Sequence, residues 1–111
     1  MTITALSPEE REVVRRALGA TFQYFDADFQ TRLGITQDDM HDILRNWEIV
    51  DDTPDDSDVC LAINNAMNDL LNGIGIPDKD ALSLTGADRA EMHRIYKKWA
   101  KARGWAATGL R

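Results

Sequence analysis

Apolar side chains recur at helical spacing along most of this chain, most clearly over residues 58–74, DVCLAINNAMNDLLNGI. On a helical wheel of about 100° per residue, the apolar positions of this segment form one broad arc. The arc consists of Val59, Cys60, Ile63, Ala66, Met67, Leu70, Leu71 and Ile74. An arc of this width needs at least two neighbouring helices to cover it. The pattern therefore predicts a central helix over about residues 58–73.

Capping signals predict a first helix near the N-terminus. Ser7, Pro8 and Glu10 follow the pattern of a serine cap, a proline in the first turn and a capping-box glutamate. The apolar residues that follow stay in phase as far as Leu33, which predicts a helix over about residues 8–33. A break near Asp26 is compatible with the same pattern.

A second stripe, made of mostly small residues, runs along the first helix beside its main apolar face. It consists of Val13, Ala17, Ala20, Tyr24 and Ala27. Small side chains permit the close approach of another helix. That helix comes from the same chain or, alternatively, from a second copy, which would make the protein a homodimer.

Two further helices are predicted from their end signals. Gly34 suits a helix C-terminus, and Thr36 then caps a second helix. Thr85 and Asp88 form the predicted capping box of a final helix, which Gly104 ends.

The sequence thus predicts an all-α fold with four main helices in a compact bundle, the third of which is central. The four helices span about residues 8–33, 37–48, 58–73 and 86–103. We expect residues 1–111 to form a single helical domain with a frayed tail at 106–111. Residues 75–84 are expected to be a connector with no more than one helical turn, because glycine and proline interrupt its start.

Composition favours a globular protein of the cytoplasm. The 111 residues with 43% hydrophobic content fit one domain with its own core. The single cysteine, Cys60, excludes an internal disulfide and favours a reducing compartment. The N-terminal segment lacks the features of a secretory signal, and no apolar run approaches the roughly 18 residues of a membrane span. We therefore expect a cytoplasmic location and no membrane partner.

Charge is distributed unevenly along the chain, whose net charge is −6. Residues 38–58 carry nine acids and one base, whereas bases prevail after residue 88. Residues 51–57 are here called the acidic loop. Its aspartates are Asp51, Asp52, Asp55 and Asp56. Pro54 makes regular structure unfavourable there, so we expect these side chains to be exposed. They favour a partner protein with a basic surface and make nucleic acid unsuitable, although the chain's own basic tail is an alternative neighbour.

The side of the central helix opposite its apolar arc carries an unusual set of amides and no Lys, Arg or Glu. This amide face consists of Leu61, Asn64, Asn65, Asn68 and Asn72. Asparagine is a weaker helix former than the residues that usually cover a solvated face, and four of them cost up to roughly 2 kcal/mol. We therefore expect this face to be covered, either by the connector at 75–84 or by the same face of a second chain.

Residues 29–47 resemble a DNA-binding helix-turn-helix in their spacing, with Gly34 in the turn and Thr36 as the cap of the second helix. The outward positions of that helix include Asp38, Asp39 and Asp42, which would repel phosphates. A helix-turn-helix DNA-binding regulator is therefore kept only as an alternative function.

Signatures of metal binding and catalysis are weak. The acidic loop lacks the glycine and glutamate that a calcium loop needs at its sixth and twelfth positions. His41, His93 and Cys60 do not stand at metal-ligand spacing, so we expect no metal and no other cofactor. A small enzyme, the second alternative, would need a tertiary arrangement that joins these residues with a carboxylate. Our leading hypothesis is a non-catalytic interaction module, such as an adaptor, an inhibitor or an immunity-type protein, that presents the acidic loop to a basic protein.

Overall fold

Residues 2–105, the part of the chain that the computed structural model describes, fold into helices without any strand. The six α-helices are α1 (Pro8–Tyr24), α2 (Phe29–Leu33), α3 (Gln37–Arg45), α4 (Asp58–Asn68), α5 (Asp78–Thr85) and α6 (Arg89–Ala102). Short 3₁₀ helices lie at Thr2–Ala5 and Trp47–Ile49, and a π-helical turn at Asp69–Gly73 continues α4. The all-α class is confirmed, with six α-helices where the sequence predicted four main ones. The predicted frayed tail, 106–111, lies outside the described residues.

Helix α4 packs against α1, α2, α3 and α6. Most of its apolar arc is buried, including Ile63 and Met67, and burial continues through Leu70 and Leu71 in the π-helical turn. Full burial of each such side chain stabilises the fold by roughly 1.5–3 kcal/mol. The width of the apolar arc therefore corresponds to neighbours on several sides of α4. None of the described helices is long and apolar enough to cross a membrane.

The predicted first helix is two helices in the structure. Helix α1 ends at Tyr24, and Phe25 takes an extended conformation with φ −124° and ψ 138°. The Asp28 carboxylate accepts a hydrogen bond of 3.2 Å from the Asp26 N–H, and such a local bond competes with continuation of a helix. Phe25 and Phe29 are nevertheless both buried, so the apolar phase continues across the break. Periodicity alone therefore could not locate it.

The predicted connector at 75–84 contains most of helix α5, so the expectation of at most one helical turn is wrong. Thr85 is the last residue of α5, where its hydroxyl donates to the Ala81 carbonyl at 2.8 Å. The cap of α6 is instead Asp88, whose carboxylate accepts from the Glu91 N–H at 2.8 Å. Gly86, with φ 84°, lies in the turn between the two helices. The final helix therefore starts at Arg89 and not at the predicted residue 86.

Three other predicted helix starts are confirmed. The Ser7 hydroxyl accepts a bond of 3.1 Å from the Glu10 N–H, and the Glu10 carboxylate accepts one of 2.8 Å from the Ser7 N–H. Thr36 and Asp39 form the same reciprocal box at the start of α3. Ser57 caps α4. Each such cap stabilises its helix by roughly 1 kcal/mol, which is why these boundaries follow from local sequence.

Much of the small-residue stripe is covered within the single chain, although Ala27, beyond the end of α1, is exposed. Ala17 and Ala20 are buried, and α1 packs against α4 and α5. The Tyr24 hydroxyl donates to the Asp80 carboxylate of α5 at 3.3 Å. Helices of the same chain therefore cover much of this stripe, which removes one of the two reasons for expecting a homodimer.

Glu10 joins the start of α1 to the middle of α6. Its buried carboxylate accepts bonds of 2.8 Å from the Lys98 ammonium and from the Arg94 guanidinium. The bond from Lys98, together with those from the Ser7 N–H and from Arg94, lowers the pKa of Glu10 from 4.5 to about 2. This contact closes the bundle between elements more than 80 residues apart in the chain.

We expect Glu10→Gln to remove a pH-dependent part of the stability. The folded pKa of Glu10 lies below its unfolded value, so its ionised carboxylate stabilises the fold above about pH 4.5. This contribution is lost as the pH falls towards 2. We expect it to be roughly 2 kcal/mol, because Arg94 and Lys98 are half-exposed and partly screened by water.

Urea denaturation between about pH 6 and pH 2 measures this effect. Glutamine preserves the capping box, so the variant should fold. The free energy of unfolding of the variant should lie below that of the original protein at pH 6, and the two should converge near pH 2. A constant difference across this pH range would contradict the assignment.

Candidate functional site

One carboxylate of the acidic loop is fully buried. Asp52 has 0% of its surface exposed. Its Oδ1 accepts a bond of 3.2 Å from the Ile3 N–H, and its Oδ2 accepts one of 2.8 Å from the Trp99 indole N–H. A buried carboxylate requires such partners because it has lost its hydration. The prediction that all four aspartates of the loop are exposed is therefore wrong for Asp52, which cannot contact a partner in this fold.

Arg103 closes over the acidic loop from the end of α6. Its guanidinium lies 3.7 Å from the Asp52 carboxylate and donates a bond of 2.6 Å to the Asp55 carboxylate. It also donates to the main-chain carbonyls of Asp52 and Thr53. The chain's basic end therefore neutralises part of the acidic loop, which was the alternative considered from the sequence.

Two indole rings enclose the Arg103 side chain, of which only 2% is exposed. The guanidinium carbon lies 5.3 Å from the ring centroid of Trp99 and 5.2 Å from that of Trp105. The two rings meet edge to face at 5.3 Å. Trp105 thus folds back onto the core and helps to hold Arg103 against the loop. We call Asp52, Trp99, Arg103 and Trp105 the loop clasp.

The other carboxylates of the acidic loop point outward. Asp51 and Asp56 are exposed, and no salt bridge within residues 2–105 reaches either of them. Hydrogen bonds from Thr53, including one of 3.0 Å from its N–H, lower the pKa of Asp51. Asp55 is exposed but bonded to Arg103. Of the four predicted partner-binding residues, Asp51 and Asp56 thus remain as outward charges, and their role stays a prediction.

Part of the amide face is used inside the chain. The buried Asn64 accepts a bond of 2.6 Å from the Tyr96 hydroxyl of α6. Asn65 donates a bond of 2.9 Å to the Leu33 carbonyl at the C-terminus of α2, where helix carbonyls lack partners within the helix. Leu61 is half-buried against the core. These contacts come from α2 and α6, so the predicted covering by the connector at 75–84 is wrong.

The remainder of the amide face lines an open cleft of about 300 Å³. We call it the amide cleft; its lining residues are Arg32, Asn65, Asn68, Asp69, Asn72 and Gly73. The Asn72 amide donates to the Asn68 carbonyl oxygen at 2.8 Å. Arg32 donates bonds of 2.8 Å to the carboxylates of Asp28 and Asp69. The cleft is therefore polar along its whole lining, with side chains that are held by one another.

The π-helical turn places the Asp69 carboxylate directly over Gly73. A Cβ atom built at residue 73 would lie 1.8 Å from the Asp69 Oδ1. Gly73 thus leaves the space in which Asp69 bonds to Arg32. Rare π-helical turns within α-helices occur frequently at functional sites. Sequence reasoning missed Arg32, Asp69 and Gly73, because only the tertiary fold brings α2 to this turn, and the amide face was the one available signal.

The predicted helical corner over residues 29–47 is present as α2, a turn at Gly34 and α3. The outward side chains of α3 include Asp38 and Asp42, and Arg45 is paired with Asp42. His41 stacks on Phe22 of α1, with 4.4 Å between ring centroids. The exposed face of α3 therefore carries two carboxylates, and its one arginine is already paired with Asp42. DNA binding remains an untested alternative.

The three side chains considered for catalysis lie on three different helices, with Cys60 buried on α4, His41 on α3 and His93 on α6. No group of three or more His, Cys, Asp or Glu side chains in residues 2–105 could hold a metal ion. Comparison of the chain with protein-family models, with curated proteins and with solved structures found no match.

We expect Asp52→Ala to destabilise the protein by about 3–5 kcal/mol, because it leaves Arg103 and the Trp99 N–H buried without their shared acceptor. Asp56→Ala is the matched control, since Asp56 is an exposed aspartate of the same loop. Its effect should stay within about 0.5 kcal/mol. Denaturant unfolding of both variants measures the difference. Equal effects would show that the loop clasp does not stabilise the fold.

We expect Gly73→Ala to abolish the energetic coupling between Arg32 and Asp69, because the new methyl group displaces the Asp69 carboxylate. A double-mutant cycle with Arg32→Ala and Asp69→Ala should give a coupling of roughly 0.5 kcal/mol in the original background, because Arg32 is partly exposed. The coupling should vanish in the Gly73→Ala background. Gly19→Ala on α1 is the control, since nothing lies within 4 Å of its added Cβ, and it should preserve the coupling. A coupling that survives in both backgrounds would refute the role of Gly73.

Proposed function

We propose that this protein is a non-catalytic interaction module of the cytoplasm, such as an adaptor, an inhibitor or an immunity-type protein, that binds a partner protein with a basic surface. The contact surface would be the acidic surface, which we define by four exposed carboxylates. These are Asp38, Asp51, Asp56 and Asp58. The observation that carries the proposal is that no base within residues 2–105 forms a salt bridge with any of these four groups.

Several basic residues bind carboxylates outside this set of four. Arg94 and Lys98 bind Glu10 at the far end of α1, and Arg103 is enclosed in the loop clasp. Arg45, the single base of residues 38–58, pairs with Asp42. Negative charge is therefore left concentrated on one stretch of the chain. Such a field speeds association with a basic partner and opposes association with nucleic acid.

An apolar contact beside the acidic surface supports a protein partner. Ile49 is 78% exposed, which is high for a large apolar side chain, and it follows the half-buried Trp47. Trp47 also lines a second groove of about 300 Å³. The apolar part of its lining is Ile3, Pro8, Trp47 and Val50, and the polar part is Thr4, Arg11, Glu12 and Glu48. Protein interfaces commonly combine an aromatic or aliphatic centre with a polar rim. A loop that binds only small cations through its carboxylates would not require exposed apolar side chains beside it.

We expect the double variant Asp51→Asn, Asp56→Asn to bind the partner several-fold more weakly than the original protein. Each exposed charge pair contributes roughly 0.2–1 kcal/mol, and the loss should shrink at high salt because of screening. The partner is first captured from a cytosolic extract of the source organism and purified. Titration calorimetry at low and at high salt then gives the dissociation constants.

The control is the double variant Glu9→Gln, Asp26→Asn, which removes the same charge from exposed positions outside the acidic surface. It should bind almost as well as the original protein. If both double variants bind with equal affinity, only net charge matters and the acidic surface is not the contact. An affinity that does not change with salt would argue against an electrostatic interface altogether.

A further inference from the structure

Two polar atoms in the amide cleft have no hydrogen-bond partner within residues 2–105. They are Asn68 Nδ2 and Asn72 Oδ1, since the bond between these two side chains uses the other atom of each amide. Asn64 and Asn65, by contrast, bond to Tyr96 and Leu33. The cleft thus presents one donor and one acceptor beside each other, and no other described side chain or main-chain group bonds to either.

A side-chain amide has the same chemistry as a main-chain peptide group, with an N–H donor and a C=O acceptor. Successive turns of a helix place side chains of one face about 5.4 Å apart along its axis. Peptide groups on one side of an extended chain repeat at roughly 6.6 Å, which is two residues of strand. Asn68 at the end of α4 and Asn72 in the π-helical turn lie four residues apart, about one helical turn, so an extended segment lying along this end of α4 can meet both.

We propose that the amide cleft binds an extended main-chain segment of a partner polypeptide through Asn68 and Asn72. This inference rests on the proposed function, since it assigns a second contact to the same protein–protein interaction. The Asn68 amide donates to a peptide carbonyl, and the Asn72 carbonyl accepts from a peptide N–H. The open shape of the cleft suits an elongated chain that enters and leaves at its ends.

The charges around the cleft specify the side chains of that segment. Asp28 and Asp69 hold Arg32 on one side, and its guanidinium lies over the Phe25 ring at 4.9 Å. Arg32 is therefore engaged and does not attract an anionic ligand. Asp28 and Asp69 thus bring two negative charges to the single positive charge of Arg32, which leaves the surroundings with a net negative charge. The segment that fits is one with lysine or arginine beside glycine or other small residues.

The test uses three blocked hexapeptides and the full chain labelled with ¹⁵N. The first peptide alternates glycine and lysine, the second has the same sequence with every main-chain nitrogen methylated, and the third alternates glycine and glutamate. Nuclear magnetic resonance follows the side-chain NH₂ signals of Asn68 and Asn72. We expect the first peptide to shift both signals saturably, and the second and third to bind at least about five-fold more weakly, since methylation removes the main-chain donors without changing charge.

Variants locate the site. Asn68→Ala with Asn72→Ala should lose at least about five-fold in affinity for the first peptide, while the double variant should keep its unfolding midpoint, because these side chains bond to each other at the surface. Asn46→Ala on the α3 terminus is the control and should bind normally.

Three results would overturn the inference. Equal binding of the methylated and unmethylated peptides would show that charge alone is recognised. Shifts confined to the acidic loop would reject the amide cleft while leaving the proposed function intact. Cleft signals that move on dilution without peptide would show that a second copy of the chain occupies the cleft.

Discussion

The packing of this fold depends on one constraint, the burial of the Asp52 carboxylate. Three segments remote in the chain meet at this group: the N-terminal 3₁₀ helix through Ile3, the acidic loop, and the end of α6 through Trp99 and Arg103. A buried ion pair contributes little net stability compared with apolar packing, but it penalises every arrangement that separates its partners. The loop clasp therefore selects one way of closing the helices around α4, whose wide apolar arc would tolerate others.

The same enclosure determines which charges face solvent. The loop clasp engages Arg103, a base that binds the acidic loop through Asp52 and Asp55, and Glu10 likewise engages Arg94 and Lys98. The placement of these bases therefore has two consequences. It forms the ion pairs that hold the fold together, and it leaves Asp51 and Asp56 facing solvent without a paired base among the described residues. At the amide cleft, Asp28 and Asp69 pair with Arg32 in the same manner. The guanidinium is therefore held by carboxylates, and the asparagine amides remain accessible.

Sequence reasoning succeeded where the determining contacts are local. The caps at Ser7 and Thr36 involve residues three positions apart, and the starts of α1 and α3 were located from them. It failed where a distant residue decides. Asp52 looked exposed because nothing within the loop indicates that Trp99, 47 residues later, donates to it. The amide face was recognised as unusual, but its coverage by α2 and its continuation into a π-helical turn depend on tertiary packing that periodicity does not encode.

The contacts of the loop clasp also order events during synthesis on the ribosome. Ile3, Asp52 and Arg103 emerge in that sequence, so the Asp52 carboxylate stays hydrated until the last of α6 has been made. Helices α1 to α4 can bury apolar surface against one another before then, as local and early contacts form first. The nascent chain therefore carries a fully acidic loop, and only the completed chain reduces it to the outward pair of Asp51 and Asp56. Because synthesis runs from the N-terminus to the C-terminus, the acidic loop reaches its final charge pattern only after Arg103 has been made.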